Sequence, residues 1–259
     1  MRRALLHLLV TMTLVAPAAD AEPDRTHAAW SALLAKHVKL GDARGSASRV
    51  DYAGFARDRA ALGAYLASLA RVTPAEFAKL ARADQMALLI NAYNAATIEL
   101  ILTEYPRRAS IKDYGSLFRS AWQKPFVRLL GETLTLDQIE HERLRGKRGY
   151  AEPRVHFAVN CASIGCPMLR EEAYVGERLE AQLEEQTRRF LADRTRNRFD
   201  AKSGLALSSI FKWYRGDFAG GDLARFLAPY AQELGATPQQ LASSRVAFLD
   251  YDWRLNDAK

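Results

Sequence analysis

The chain has 259 residues, of which 37 are Lys or Arg and 30 are Asp or Glu, so the formal net charge is +7. Two cysteines are too few for a small disulfide-dense scaffold, and 49% hydrophobic residues suffice for a globular core. Basic residues are scattered among acidic ones, and no basic stripe is interleaved with aromatic residues. We therefore expect no binding of nucleic acid.

The N-terminus has the pattern of a secretory signal peptide. Two arginines precede an apolar run from Leu5 to Val15, and Ala19 and Ala21 are the small residues of a cleavage site. The run is too short to cross a bilayer comfortably. We predict a cleaved signal peptide over residues 1–21 and one globular domain over 22–259. The mature domain would be periplasmic or secreted and have no integral membrane segment.

Capping patterns and apolar spacing predict the first helices. Thr73 and Glu76 form a capping box at one helix start. Residues 85–102, preceded by Asp84 as a candidate cap, are apolar on nearly every face. A helix of that composition is predicted to be buried in the core.

Asn91 and Asn94 lie three residues apart on this predicted helix, so both amides lie on one face. A buried amide without hydrogen-bond partners costs about 1–3 kcal/mol. The pair therefore predicts a polar target, which is either the backbone of a neighbouring loop or a ligand pocket.

A second capping pattern, TLDQ, opens a short predicted helix that continues through IEHERLR. Asp137, His141 and Arg145 follow one another at intervals of four residues, and Glu140 lies beside the histidine. This spacing would hold His141 between an acid and a base. The alternative is an exposed charged helix without a catalytic role.

The C-terminal half mixes helices and short strands. RVHFAV and residues 246–253 are predicted strands, and residues 171–194 are a predicted amphipathic helix. Further helices are predicted near Leu223 and from Thr237 onwards. Together these elements predict a helix-rich α+β single domain with a small β-sheet.

Both cysteines lie in VHFAVNCASIGCP, and three interpretations of them remain open. Cys161 and Cys166 can form a disulfide, which suits an exported chain. They can contribute to a zinc site, although C-x4-C is a weak signal and we predict no metal and no cofactor. Cys161 can also be a nucleophile that uses a histidine as base. An unbroken strand would place His156 and Cys161 on opposite faces, so they would meet only if the segment turns.

Five blocks resemble the DUF547 family, a domain of unknown function. They are LLINAYNAATIELIL, LDQIEHERLR, PRVHFAVNCASIGCPMLREEAY, QLEEQTRRFL and LSSIFKWYRGDF, in the family's order and within residues 50–230. Leu89 departs from the family, whose members often carry an aromatic residue there. The motif positions that the resemblance implies are Asn91, Asn94, Glu140, His141, Arg145, His156, Asn160, Cys161, Ser163, Cys166 and Asp217.

The resemblance implies an exported bacterial domain with no established reaction. A distant comparison is with papain- and transglutaminase-like thiol enzymes, whose cysteine lies on the buried helix and precedes the histidine. Here the order is reversed. We predict a thiol-dependent hydrolase or acyl transferase that acts on a peptide or small amide. Its candidate catalytic residues are Cys161, His156, His141 and Glu140, and its candidate substrate-binding residues are Asn91, Asn94, Arg145, Asn160 and Ser163.

The competing hypothesis is a binding or structural module without catalysis. In it, Cys161 and Cys166 form a disulfide and the histidines organise hydrogen bonds. The segment FKWYRGDF, residues 211–218, would then offer an aromatic surface for an unknown small-molecule or peptide ligand. Such aromatic segments more often pack in a core.

Overall fold

The computed structural model describes residues 24–41, 45–116, 118–145 and 149–259. The predicted signal peptide over residues 1–21 lies outside these ranges, so its cleavage and the periplasmic or secreted location stay predictions.

The fold is helix-rich α+β, as predicted. The α-helices of the described residues are α1 (Ala28–His37), α2 (Tyr52–Arg57), α3 (Arg59–Ala70), α4 (Pro74–Lys79), α5 (Arg82–Leu102), α6 (Val155–Ala158), α7 (Leu179–Ala192), α8 (Ile210–Trp213), α9 (Leu223–Leu227), α10 (Ala231–Leu234) and α11 (Pro238–Ser243). A π-helix spans Gln138–Leu144.

The strands are short and belong to three small sheets. They are β1 (Val38–Leu40), β2 (Ser48–Val50), β3 (Val127–Leu129), β4 (Glu132–Leu134), β5 (Arg198–Asp200), β6 (Gly204–Ser208) and β7 (Val246–Leu249). The first four form two antiparallel hairpins, whereas β6 pairs antiparallel with β5 and parallel with β7.

Helix α5 is the central element of the core. Sixteen of its 21 residues are buried, which agrees with its apolar character on every face. It is also the one helix of the described residues that is long and apolar enough to cross a membrane, but 89% of its apolar window is buried inside the fold. The helix begins at Arg82, so Asp84 lies in its first turn and is not its cap.

The predicted capping boxes form. The Thr73 hydroxyl accepts from the Glu76 N–H, and Glu76 accepts in return from the Thr73 N–H, at the start of α4. Thr135 and Gln138 make the same reciprocal pair before the π-helix. Both capping boxes are predictable from the sequence because each depends on only four consecutive residues.

The predicted strand RVHFAV is wrong, because Val155–Ala158 is the single turn of α6. All four residues of that turn are buried, so the segment has no polar face to mark an alternation. A short apolar run of this kind does not distinguish a buried strand from a buried helix. The argument that placed His156 and Cys161 on opposite faces of a strand therefore fails.

The predicted helix over 171–194 begins too early. Helix α7 starts at Leu179, and upstream of it the backbone of Tyr174 hydrogen-bonds to the Asn91 side chain. The predicted strand over 246–253 is correct for its first four residues, β7. Its second half leaves the sheet and carries Tyr251 and Trp253 towards the cysteines.

Candidate functional site

The two asparagines of α5 hold the backbone of neighbouring segments. Asn91 donates from Nδ2 to the Tyr174 carbonyl at 2.7 Å, and its Oδ1 accepts from the Tyr174 N–H at 3.0 Å. Asn94 bridges the Ala158 carbonyl at 3.0 Å and the Asn160 N–H at 2.8 Å. Both side chains thus hydrogen-bond to backbone groups of neighbouring segments, which is the first of the two targets predicted for them.

Asn160 continues this network into the cysteine loop, residues 159–167. Its Nδ2 donates to the Pro167 carbonyl at 2.7 Å, and its Oδ1 accepts from the Ala162 N–H at 2.9 Å. The C-terminal segment also supports the loop, because the Ile164 N–H donates to the Arg254 carbonyl at 2.8 Å. The sequence from His156 to Pro167 therefore turns back on itself.

Cys161 and Cys166 are joined, with their sulfur atoms 1.96 Å apart. The disulfide predicted as one of three alternatives is therefore present. The Tyr251 hydroxyl lies 3.1 Å from each sulfur, and the Cys161 N–H donates to Cys166 Sγ at 2.9 Å. Cys166 is 2% exposed, whereas Cys161 is half-buried. In the chain-entropy picture, a loop this short contributes about 2 kcal/mol to stability.

The π-helix presents a group of polar side chains to the same region. The Arg145 N–H donates to the Glu140 carbonyl at 2.9 Å, which is the five-residue spacing of π-helical structure. His141 Nε2 lies 3.8 Å from Asp137 Oδ1, and Arg145 Nη1 lies 2.6 Å from His141 Nδ1. His141 is thus held between the acid and the base that its spacing predicted.

Glu140 is the buried carboxylate of this group, with a side chain that is 9% exposed. Burial, followed by the charge of Glu140 and a hydrogen bond to it, raises the pKa of Tyr93 well above its usual value. Burial and the Glu140 charge raise the pKa of Tyr214 as well. Both phenols are therefore protonated and can donate to Glu140.

His156 is paired with Asp217. Its Nε2 lies 2.8 Å from Asp217 Oδ2, which also accepts from Arg145 Nε at 2.8 Å. The hydrogen bond from His156 and that from Arg145 hold the pKa of Asp217 well below its usual range, against the effect of burial. Burial lowers the pKa of His156, although Asp217 partly opposes this. The pair therefore consists of an ionised Asp217 and a neutral His156.

Hydrogen-bond partners fix the tautomer of each histidine. An ionised carboxylate only accepts, so His156 carries its proton on Nε2 and has a lone pair on Nδ1. Arginine only donates, so His141 accepts at Nδ1 and carries its proton on Nε2. The Tyr214 ring stacks on His156 with their centroids 4.3 Å apart, and Arg145 lies 4.2 Å from the centre of the same ring.

These groups surround one cavity of about 270 Å³. The disulfide, the histidine pair and the π-helix carboxylates share its wall with aromatic side chains. The described lining residues are Tyr93, Trp122, Asp137, Glu140, His141, His156, Val159, Cys161, Cys166, Pro167, Ile210, Trp213, Tyr214, Tyr251 and Trp253.

The four candidate catalytic residues, Cys161, His156, His141 and Glu140, all line this cavity. The five candidate substrate-binding residues do not appear among its described lining residues. Asn91, Asn94 and Asn160 hydrogen-bond to backbone groups instead. Arg145 lies behind the cavity wall, between His141 and Asp217. Ser163 is buried in the loop, where its carbonyl accepts from the Cys166 N–H at 3.1 Å.

Sequence reasoning missed most of the aromatic wall. Phe211 and Phe218 of FKWYRGDF are core residues, as the segment's usual role suggests, but Trp213 and Tyr214 line the cavity. Trp122 and Trp253 were not candidates at all. The predicted strand over residues 246–253 is the one sequence signal that includes Trp253.

In the described ranges, no three side chains of His, Cys, Asp or Glu are grouped as ligands for a metal ion. The fold and this site define a helix-rich α+β domain built around a disulfide-lined, aromatic cavity. Residues 77–191 match the family model described as "Protein of unknown function, DUF547", which supports a DUF547 domain over this part of the chain. Comparison with curated proteins and with solved structures finds no match.

The matched residues contain α5, the π-helix, the cysteine loop and nearly all of α7. Asp217, Trp213, Tyr251 and Trp253 lie beyond them. The cavity therefore combines a wall from the family domain with a wall from the C-terminal part of the chain.

Proposed function

We propose that the protein, once its disulfide is reduced, is a thiol-dependent hydrolase or acyl transferase that acts on a peptide or small amide. The observation that carries the proposal is the shared cavity: Cys161 and His156 line it together, and Asp217 orients the histidine. Nucleophile, base and orienting group are the three parts that thiol catalysis needs. A periplasmic or secreted location, supported by the signal-peptide pattern, belongs to the same proposal.

Cys161 is the better nucleophile of the two cysteines. A substrate must reach the attacking sulfur, and Cys161 is half-buried whereas Cys166 is 2% exposed. Cys166 is then the partner that closes the disulfide and holds Cys161 in an unreactive form.

His156 is the better base of the two histidines. A base needs a free lone pair, and His156 keeps one on Nδ1 while its Nε2–H is held by Asp217. The corresponding Nδ1 of His141 already accepts a hydrogen bond from Arg145. The lowered pKa of His156 keeps it in the basic, neutral form near neutral pH.

The reaction begins with reduction of the Cys161–Cys166 disulfide by a dithiol, which leaves as its own disulfide and gives two protein thiols. His156 then takes the proton of Cys161, and the thiolate attacks the amide carbonyl. The C–N bond breaks, the amine leaves with the proton from His156, and a thioester remains. Water or an acceptor amine releases the acyl group and restores the thiol.

The direct test compares oxidised and reduced protein. We expect the reduced protein to be alkylated by iodoacetamide mainly at Cys161 and to hydrolyse members of a panel of peptidyl amides and thioesters. The oxidised protein should do neither. Peptide mapping locates the alkylated cysteine, and product assays follow hydrolysis. Full turnover by the oxidised protein, or the absence of turnover by fully reduced protein on the whole panel, would contradict the proposal.

Asp217→Asn tests the orienting role. Loss of the carboxylate weakens the hold on His156 and removes a charge that raises its pKa. We expect the alkylation rate of Cys161 to fall by about 10- to 100-fold. The acid limb of its pH profile should move to lower pH, because neutral His156 is lost on protonation and this now occurs at a lower pH. Asp250→Asn, an exposed position in the same half of the chain, is the control. An unchanged profile would mean that Asp217 has only a structural role.

The second candidate is a binding module in which the disulfide is permanent. The joined sulfurs favour it directly. It predicts that reduction changes ligand binding little and exposes no thiol of unusual reactivity.

A further inference from the structure

The cavity is walled by six aromatic rings, those of Tyr93, Trp122, Trp213, Tyr214, Tyr251 and Trp253. Tyr251 and Trp253 lie 4.4 Å apart between centroids, and Trp213 stacks on Trp253 at 5.7 Å. Trp122 meets the other side of this group edge-on at 5.9 Å. We call Trp122, Trp213, Tyr251 and Trp253 the aromatic panel. Trp213 is 46% exposed, so the panel reaches the cavity mouth.

The charged groups on the cavity wall are negative. Glu140 and Asp137 line it, and none of its described lining residues is Lys or Arg. The two lining histidines already have partners: His141 contacts Arg145, and His156 is hydrogen-bonded to Asp217. Two phenol hydroxyls occupy part of Glu140, but a carboxylate has about four acceptor sites. Glu140 can therefore accept a hydrogen bond from a further donor.

One ring of the panel already lies against an ammonium group. The Nζ atom of Lys112 lies 5.0 Å from the centre of the Trp253 ring. Aromatic rings attract cations through their negative faces, and several rings around a carboxylate bind alkylammonium groups well. An apolar or anionic group would gain nothing from Glu140, and an anionic group would be repelled.

We propose that this cavity binds an organic cation, specifically the alkylammonium side chain or amino group of a peptide-like substrate. The aromatic panel surrounds the alkyl part and Glu140 receives the ammonium. A volume of about 270 Å³ suits one such group and not a large ligand. The inference rests on the proposed function only in taking this cavity as the place where the substrate binds.

The test measures binding without chemistry, in the oxidised protein. The probes are N-acetyl-lysine N-methylamide, its norleucine counterpart, which has the same four side-chain carbons and no ammonium group, and its glutamate counterpart. Three of the chain's four tryptophans line the cavity, and the fourth, Trp30, is fully buried, so tryptophan fluorescence reports on the site. We expect the lysine probe to bind at least tenfold more tightly than norleucine, and glutamate to bind most weakly.

Variants assign the preference to the cavity. Glu140→Gln should reduce the ratio between lysine and norleucine to about threefold or less, and Asp137→Asn should reduce it partially. Glu180→Gln, at a carboxylate with 81% of its side chain exposed, should keep the full ratio. Thermal unfolding of each variant confirms that it is folded. If Glu140→Gln is unfolded, Asp137→Asn and Trp253→Leu are measured in its place. Trp253→Leu should weaken the binding of both the lysine and the norleucine probe.

The outcomes separate this inference from the proposed function. Equal or weaker binding of the lysine probe, or an unchanged ratio in the cavity variants, overturns the cation site, even if reduced protein hydrolyses neutral amides. Tenfold selectivity that depends on Glu140 supports it, even if reduced protein has no turnover.

Discussion

Cys161→Ser is expected to lose amide hydrolysis by at least about a thousandfold, whereas Cys166→Ser is expected to be active without any reductant. A serine hydroxyl is a far poorer nucleophile than a thiolate beside a histidine, so the first variant lacks the attacking atom. The second cannot form the disulfide, so Cys161 stays free. Burial explains the asymmetry, since Cys166 is 2% exposed and Cys161 is half-buried.

The measurement is initial rate on the best amide of the panel, with and without a dithiol, for both single variants and for the double variant. Both single variants lack the disulfide, so the comparison between them isolates the loss of the nucleophile. The double variant removes any activity that the Cys166 thiol retains in Cys161→Ser. Full activity of Cys161→Ser excludes Cys161 as the nucleophile. If Cys166→Ser is the inactive variant, the roles of the two cysteines are exchanged.

Asn94→Ala is expected to lower the free energy of unfolding by about 2–5 kcal/mol. The substitution leaves the Ala158 carbonyl and the Asn160 N–H without partners in a buried environment. Each unsatisfied backbone group costs about 1–3 kcal/mol. The helix itself loses nothing, because alanine is a strong helix former.

Urea unfolding of the oxidised protein measures this change. Gln239→Ala removes an amide from an exposed position of α11 and should change stability by less than about 0.5 kcal/mol. A loss below about 1 kcal/mol in Asn94→Ala would mean that water or a shifted loop replaces the amide. The alkylation rate of the reduced variant should fall as well, because Asn94 supports the cysteine loop.

The sequence predicts those parts of the site that depend on a few consecutive residues. Asn91 and Asn94 share a face because of helical spacing alone, and their need for a polar target follows from the cost of burying an amide. His141 meets Asp137 and Arg145 for the same local reason. The order of the elements and the helix-rich α+β class were accessible from capping and apolar patterns.

The cavity itself depends on contacts between distant segments. Asp217 is 61 residues from His156 along the chain, and Tyr251 is 90 residues from Cys161. The sequence immediately around each of these residues does not specify the contact with its distant partner. The same holds for α6, whose helical turn is stabilised by Asn94 on another helix and is not marked by its own apolar pattern. Tertiary contacts decide such short buried segments.

The cysteine loop is held by amides and by the C-terminal segment, and not by its disulfide alone. Asn94 and Asn160 fix both ends, and the Gly165 N–H donates to the Asp252 carbonyl at 2.8 Å. Opening the disulfide should therefore leave the backbone almost unchanged. Oxidised and reduced molecules would elute together from a sizing column and give the same circular dichroism spectrum. A purified sample would look homogeneous while containing any fraction of competent molecules, so its specific activity has meaning only after titration of its thiols.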